Sequence, residues 1–196
     1  MIDDNTRDAK IKAHYFRLWG EPNRKFSFAH PSDKAPSPLF VYEFAGDAQD
    51  STFVYATLGA SHKAMVHPNS QGEARMELFI LCNQDNDELI DNLGSIAVYP
   101  FVMQTYFGEG HTVNGIEGHG IVTGSPLTDL IITRADYSDT PDYITHTDGS
   151  HTHLFWVVPI YHTEREYVVK NGWRNLQELF EQQQTDVLDF WRAAVV

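Results

Sequence analysis

Leu154-Phe155-Trp156-Val157-Val158-Pro159-Ile160, followed at once by Tyr161-His162-Thr163-Glu164-Arg165-Glu166, is the stretch whose reading decides the fold. Seven consecutive apolar residues do not alternate as a half-solvated strand would, so they read as a central strand covered on both faces. Thr163 with Glu166 three residues later forms a capping box, which places a helix start there and its end at Gly172. A buried strand that passes directly into a helix calls for a sheet with helices laid on it.

Working outward, Trp173, Leu176, Leu179 and Phe180 mark a further helix. After Gln182-Gln183-Gln184 a last helix is predicted, with Val187, Leu188 and Trp191 inward. Upstream, Leu130-Ile131-Ile132 reads as a strand, and the glycine-rich segment 108–124 admits a short one around Thr112-Val113. Asp85-Asn86-Asp87 opens a helix whose buried stripe is Leu89, Ile90, Leu93, Ile96 and Ala97, and Pro100 is expected to kink or end it. Before it come three strands, Leu39–Phe44, Thr52–Leu58 and Ala74–Cys82, separated by the turns at Gly46-Asp47 and Pro68–Gly72. Residues 6–19 carry Ile11, Tyr15, Leu18 and Trp19 on one helical stripe, stopped by Gly20, and 21–38 reads as a loop. The predicted fold is therefore α/β, a central mixed sheet flanked by helices. It is one domain over 1–196, with an N-terminal helix and loop (1–37) and a main body (38–196). Trp19, Trp156, Trp173 and Trp191 are assigned to the core.

Length and composition fit that picture. The chain has 196 residues, of which 42% are hydrophobic, enough for a real core. No apolar run reaches the roughly 18 residues a membrane span needs, and the polar start, Met1-Ile2-Asp3-Asp4-Asn5, is unlike a signal peptide. The single cysteine, Cys82, lies in an apolar run and reads as a buried thiol, which suits a reducing cytoplasm. The formal net charge of −13 is uneven: residues 85–148 hold eleven acids and one base, Arg134. Such a chain does not bind phosphate backbones, which require Lys and Arg, but its field steers a basic protein partner.

Catalytic signatures are weak. Ten histidines raise a metal-dependent hydrolase built on His111, His119, His151 and His153 as an alternative, yet their spacing matches no zinc motif, and no metal or other cofactor is expected. Gly59-Ala60-Ser61-His62 is not a nucleophile elbow, and Gly118–Gly124 lacks the Lys of a phosphate loop. Glu164 and Glu166 are explained by the helix start. By contrast Tyr99, Phe101, Tyr106 and Phe107 bracket Pro100 just before an acidic, glycine-rich loop, the composition of a sticky partner site.

Taken in order, six stretches resemble the suppressor-of-fused family. They are Tyr55–Ser61; Met76–Leu81; the helix with Leu89, Leu93 and Ala97 leading to Tyr99; Gly110-His111-Thr112-Val113; Pro126–Ile131; and Phe155–Glu166. The resemblance implies an α/β/α sandwich with neither catalytic activity nor cofactor, which works by binding protein segments. In the animal member a short piece of a zinc-finger transcription factor is held as an added strand against a second domain. Residues 180–196 are too short for such a domain, so the Hedgehog-pathway role is not expected. Stand-alone bacterial members look like immunity proteins that neutralise a partner toxin of a polymorphic toxin system, and a regulatory scaffold that binds an extended peptide is the other alternative. The family's binding tyrosine matches Tyr99 and its histidine matches His111. Gly110 stands at its acidic position, with Glu109 one place away. With Tyr106 and Phe107 as apolar anchors, these residues make up the expected partner surface.

Overall fold

The computed structural model describes residues 2–46, 51–66, 74–115, 120–134 and 142–196. In chain order the elements are α1 (Asp4–Trp19), β1 (Arg24–Phe28), β2 (Leu39–Ala45), β3 (Phe53–Leu58), β4 (Arg75–Cys82), α2 (Glu88–Val102), β5 (Thr112–Val113), β6 (Asp129–Arg134), β7 (Tyr143–Thr145), β8 (His151–Ile160), α3 (His162–Asn171) and α4 (Trp173–Gln182). The eight strands form one mixed sheet ordered β1-β2-β3-β4-β8-β6-β5, with β7 also paired to β8. β1 to β4 is an antiparallel meander. β4 and β8 then run parallel, Leu78 opposite Phe155. β8 is central, with β4 on one side. On its other side β6 pairs along Phe155–Ile160 and β7 along His151–His153, so β6 and β7 are two halves of one interrupted ladder.

Alternation along β8 divides the core. Phe155 and Val157 join Leu89, Leu93 and Ala97 of α2 on one face. Leu154 and Val158 point to the other, where α1 covers β2–β4 through Ile11 and Tyr15, and α3–α4 covers β6 and β8 through Val168, Leu176 and Phe180. This is the expected sandwich, and the unbroken apolar reading of β8 is accounted for by cover on both faces.

Polar pins fix the outer layer. Glu77, wholly buried in β4, accepts from the hydroxyls of Thr57 and Ser61 and from the N–H groups of Gly59 and Ser61. Burial pushes its pKa up, while those donors oppose the rise. The turn it holds presents His62 to Asp8 of α1 at 2.8 Å. Nearby, Tyr15 donates its hydroxyl to the Thr57 carbonyl, and Arg7 reaches the Thr152 hydroxyl, which also meets His146. The C-terminal segment is stitched down by Arg192, whose guanidinium makes a bidentate pair with buried Glu164 at 2.7 Å.

Several expectations are corrected. The 21–38 loop contains β1, which extends the sheet, so the N-terminal segment is integral to the sandwich. The last helix does not form: residues 183–196 run as turns and irregular chain. Trp191 is 44% exposed, and Phe190 is the buried aromatic there. The start of α3 is capped two residues earlier than expected, Glu164 accepting from the Tyr161 N–H at 2.9 Å. α2 continues past Pro100 to Val102. The turns expected at Asp47 and Pro68–Gly72 lie outside the described residues.

Candidate protein-binding groove

α2 ends in a left-handed cap: Gln104 has φ 54° and the Thr105 N–H bonds the Pro100 carbonyl at 2.8 Å. The chain then turns back so that Phe107, only 5% exposed, lies beneath Tyr99, with their rings parallel and 6.0 Å apart. Tyr99 itself is 41% exposed. Next comes a tight turn, Gly108 to His111, closed by the His111 N–H on the Gly108 carbonyl. Gly110 sits at its third position with φ +81°, where glycine is the residue without steric cost. The Gly110 N–H bonds the Ile132 carbonyl, and the Ile132 N–H bonds the His111 carbonyl, each at 2.8 Å. That pattern is a glycine bulge, and it feeds the turn into β5 in register with β6. Gly110 therefore contributes backbone geometry, and Phe107 supports Tyr99 from below.

β5 is the last strand of its side of the sheet, so its outer edge faces no described strand. Between that edge and α2 runs a groove of about 820 Å³, with Ile96, Tyr99, Val113, Ile121 and Leu130 among its lining residues. Asn92 fixes its far wall by donating to the Ile121 carbonyl, and Glu88 does so by accepting from Thr123. Among the described residues, no lysine or arginine lines it.

The acidic turn residue is held from behind. Glu109 meets Arg134 Nε at 3.1 Å and the Trp173 indole N–H at 3.4 Å, and Arg134 Nη1 also holds Asp142 at 2.7 Å. Tyr106 packs its ring against His111, 4.9 Å between centroids. All six expected partner residues thus fall on the segment from the end of α2 to β5, with Tyr99 as its exposed aromatic. Sequence reasoning missed Arg134, Asp142 and Trp173, which come from β6, the loop before β7 and α4; nothing in local spacing ties them to Glu109. It also missed an apolar groove of about 820 Å³ on the opposite sheet face, lined by Trp19, Phe44, Leu81, Trp156 and Leu188 among others.

Among the described residues, acids of the acid-rich span are drawn into separate local pairs. Asp85 and Asp87 share Arg24 with Glu43, Asp129 is buried against His162, and Asp148 accepts from Ser150. Of the histidines of the hydrolase alternative, His151 and His153 lie side by side on β8, both against Tyr143, while His111 stands apart. His111 lies opposite Ile132, two strands across and four residues along from His153, a separation of roughly 15 Å. His119 lies outside the described residues. Among the described residues, the one group of three side chains spaced to hold a metal ion is Glu43, Asp85 and Asp87, and Arg24 is already paired with all three. Among the described residues no helix is long and apolar enough to cross a membrane.

Comparison with known proteins places this geometry. The family model for suppressor of fused protein matches residues 35–193. A crystal structure of a suppressor of fused homologue from Neisseria gonorrhoeae superposes with a TM-score of 0.75 at 22% identity, covering 96% of each chain. A chain of the Sufu–Fu complex aligns at TM-score 0.65 and 12% identity, over 94% of this chain and 84% of that one. Drosophila Suppressor of Fused aligns at 0.61 and 15% identity, over 90% of this chain but 45% of its own. No curated protein matches the sequence.

Proposed function

Because the chain belongs to the suppressor of fused family, we propose that it is a non-catalytic protein-binding domain that holds an extended segment of a partner polypeptide along β5, in the groove beneath Tyr99. The observation that carries this reading is a strand edge that faces no described strand and borders a groove with an exposed aromatic at its rim. An added strand gains main-chain hydrogen bonds from such an edge, and alternate side chains drop into the groove. Tyr99, Tyr106 and His111 are the side chains that meet the partner, Phe107 and Gly110 shape them, and Glu109 supplies charge.

On this reading the partner is a basic toxin domain, the protein acts as its immunity protein in the cytoplasm, and neutralisation is by occlusion. The charge of −13 favours fast capture of such a partner and disfavours nucleic acid. The regulatory-scaffold alternative uses the same groove, and gene neighbourhood separates the two, since an immunity gene lies beside its toxin gene.

The test is capture of the adjacent gene's product by the purified protein at low salt. A stoichiometric complex is expected, weakened by about 2 kcal/mol or more when Tyr99 and Glu109 are both changed to alanine, with little change in thermal midpoint. Failure to bind any adjacent product removes the immunity role. Intact binding by the double variant removes the groove.

A further inference from the structure

The geometry points to Arg134 as an internal stand-in for a basic residue of the partner, so that docking along β5 exchanges one ion pair for another. This rests on the groove reading above and adds what charge the partner brings and where it goes.

Arg134 is the one base among the eleven acids of residues 85–148. It closes β6 and splits its guanidinium between two carboxylates, Nε to Glu109 and Nη1 to Asp142. The three side chains are unequally covered. Arg134 is 51% exposed, whereas Glu109 is 29% and Asp142 20% exposed. Released from the pair, the arginine is well solvated; the two carboxylates, more covered by protein, are solvated less well. The need for a cation therefore lies with the acids, and a half-exposed pair of this kind is close to break-even and readily exchanged. The Trp173 indole N–H fixes Glu109 in place whichever cation faces it. Glu109 belongs to the turn that leads into β5, with its carboxylate turned towards β6 and α4, so the exchange requires a long basic side chain of the docked strand to reach it. A lysine or arginine there takes over Glu109 and frees Arg134 to solvent. In the unbound protein Arg134 screens an otherwise bare pair of acids, a built-in restraint against unselective capture of cations.

The probe is a fluorescein-labelled octa-arginine peptide, read by anisotropy at about 20 mM and about 150 mM salt. R134A removes one positive charge at the site, and K170A removes the same charge from an exposed position on α3. R134A, and R134Q with it, is expected to bind the probe about threefold or more tightly than K170A at low salt. The gain should shrink at the higher salt and vanish in R134A/E109Q/D142N. A second readout is the His153 imidazole, followed by NMR. Burial holds its pKa down, with Arg134's charge adding to the effect and Asp142 opposing it. In R134A that pKa should rise, and the bound probe should lower it again. Should R134A and R134Q bind no more tightly than K170A, or the gain survive in the triple variant, or His153 ignore the probe, the exchange is wrong. None of those results touches capture of a protein partner through Tyr99, so the binding reading stands or falls by its own test.

Discussion

Replacing Arg192 with alanine asks how much of the fold hangs on one buried ion pair. Arg192 and Glu164 are 4% and 0% exposed, and two 2.7 Å bonds join them. Arg192 also donates to the Pro159 carbonyl and stacks over the Phe180 ring at 4.8 Å. Its removal leaves Glu164 inside the protein with two amide donors, Tyr161 and Val195, and no counter-charge. Breaking one side of a buried pair costs about 3–5 kcal/mol, a large share of the roughly 5–15 kcal/mol a domain possesses. At about 2–4 °C per kcal/mol for a chain of this size, the thermal midpoint should fall by on the order of 10 °C. Urea and thermal unfolding of R192A, E164A and the double variant measure this. The double variant removes both charges, so its loss should be smaller than the sum of the singles by about 2 kcal/mol or more. A loss under about 1 kcal/mol in R192A, or simple additivity, would show that the pair is solvated and that the C-terminal segment is not held as described.

Three further outcomes are expected. Burial, then the charges of Arg7 and Lys10, pushes the His146 pKa down from its ordinary 6.5 to about 4. Because the native state resists that proton, stability is complete above pH 6.5 and declines as pH falls towards 4, by at most about 1.4 kcal/mol per pH unit. H146Q should flatten the decline, and an equally steep curve would exclude His146 as its source. At the α2 cap, Q104G relieves a left-handed non-glycine backbone and should raise the urea midpoint, corresponding to about 0.5–1 kcal/mol of added stability. An unchanged or lower midpoint contradicts the cap. G110A meets both the positive φ and the Trp173 ring, 3.2 Å from the new methyl, and should cost about 1–2 kcal/mol. Neutral behaviour would argue against the glycine bulge.

The sequence was most legible where periodicity and burial agree. β8 could be read because both its faces are covered, and α2 because its stripe faces a single core. β1 was hidden: Arg24-Lys25-Phe26-Ser27-Phe28 alternates, but its charged start and its neighbouring prolines made it look like loop. The C-terminal segment misled for a different reason. Its apolar spacing suits a helix, yet the Asp186 and Asp189 side chains accept from the N–H groups of Leu188 and Trp191, turning the backbone locally instead. Arg192 then anchors it to Glu164, a partner 28 positions away. The same pair explains the shifted cap of α3, since Glu164 satisfies the helix start and the arginine together. At the groove, the aromatic and glycine content of 99–111 was visible. What the sequence concealed was the division of labour: Phe107 turned inward, Gly110 serving its backbone, and Glu109 answered by a base on another strand.

The broken ladder along β8 has an evolutionary corollary. β6 and β7 each take their alignment from β8, and the Arg134–Asp142 pair clasps the chain where it leaves one half and before it rejoins at the other. A change of register in one half can therefore stop at the break without propagating into the other. A lineage facing new partners could alter one half of the ladder while β8 and the other half stay fixed.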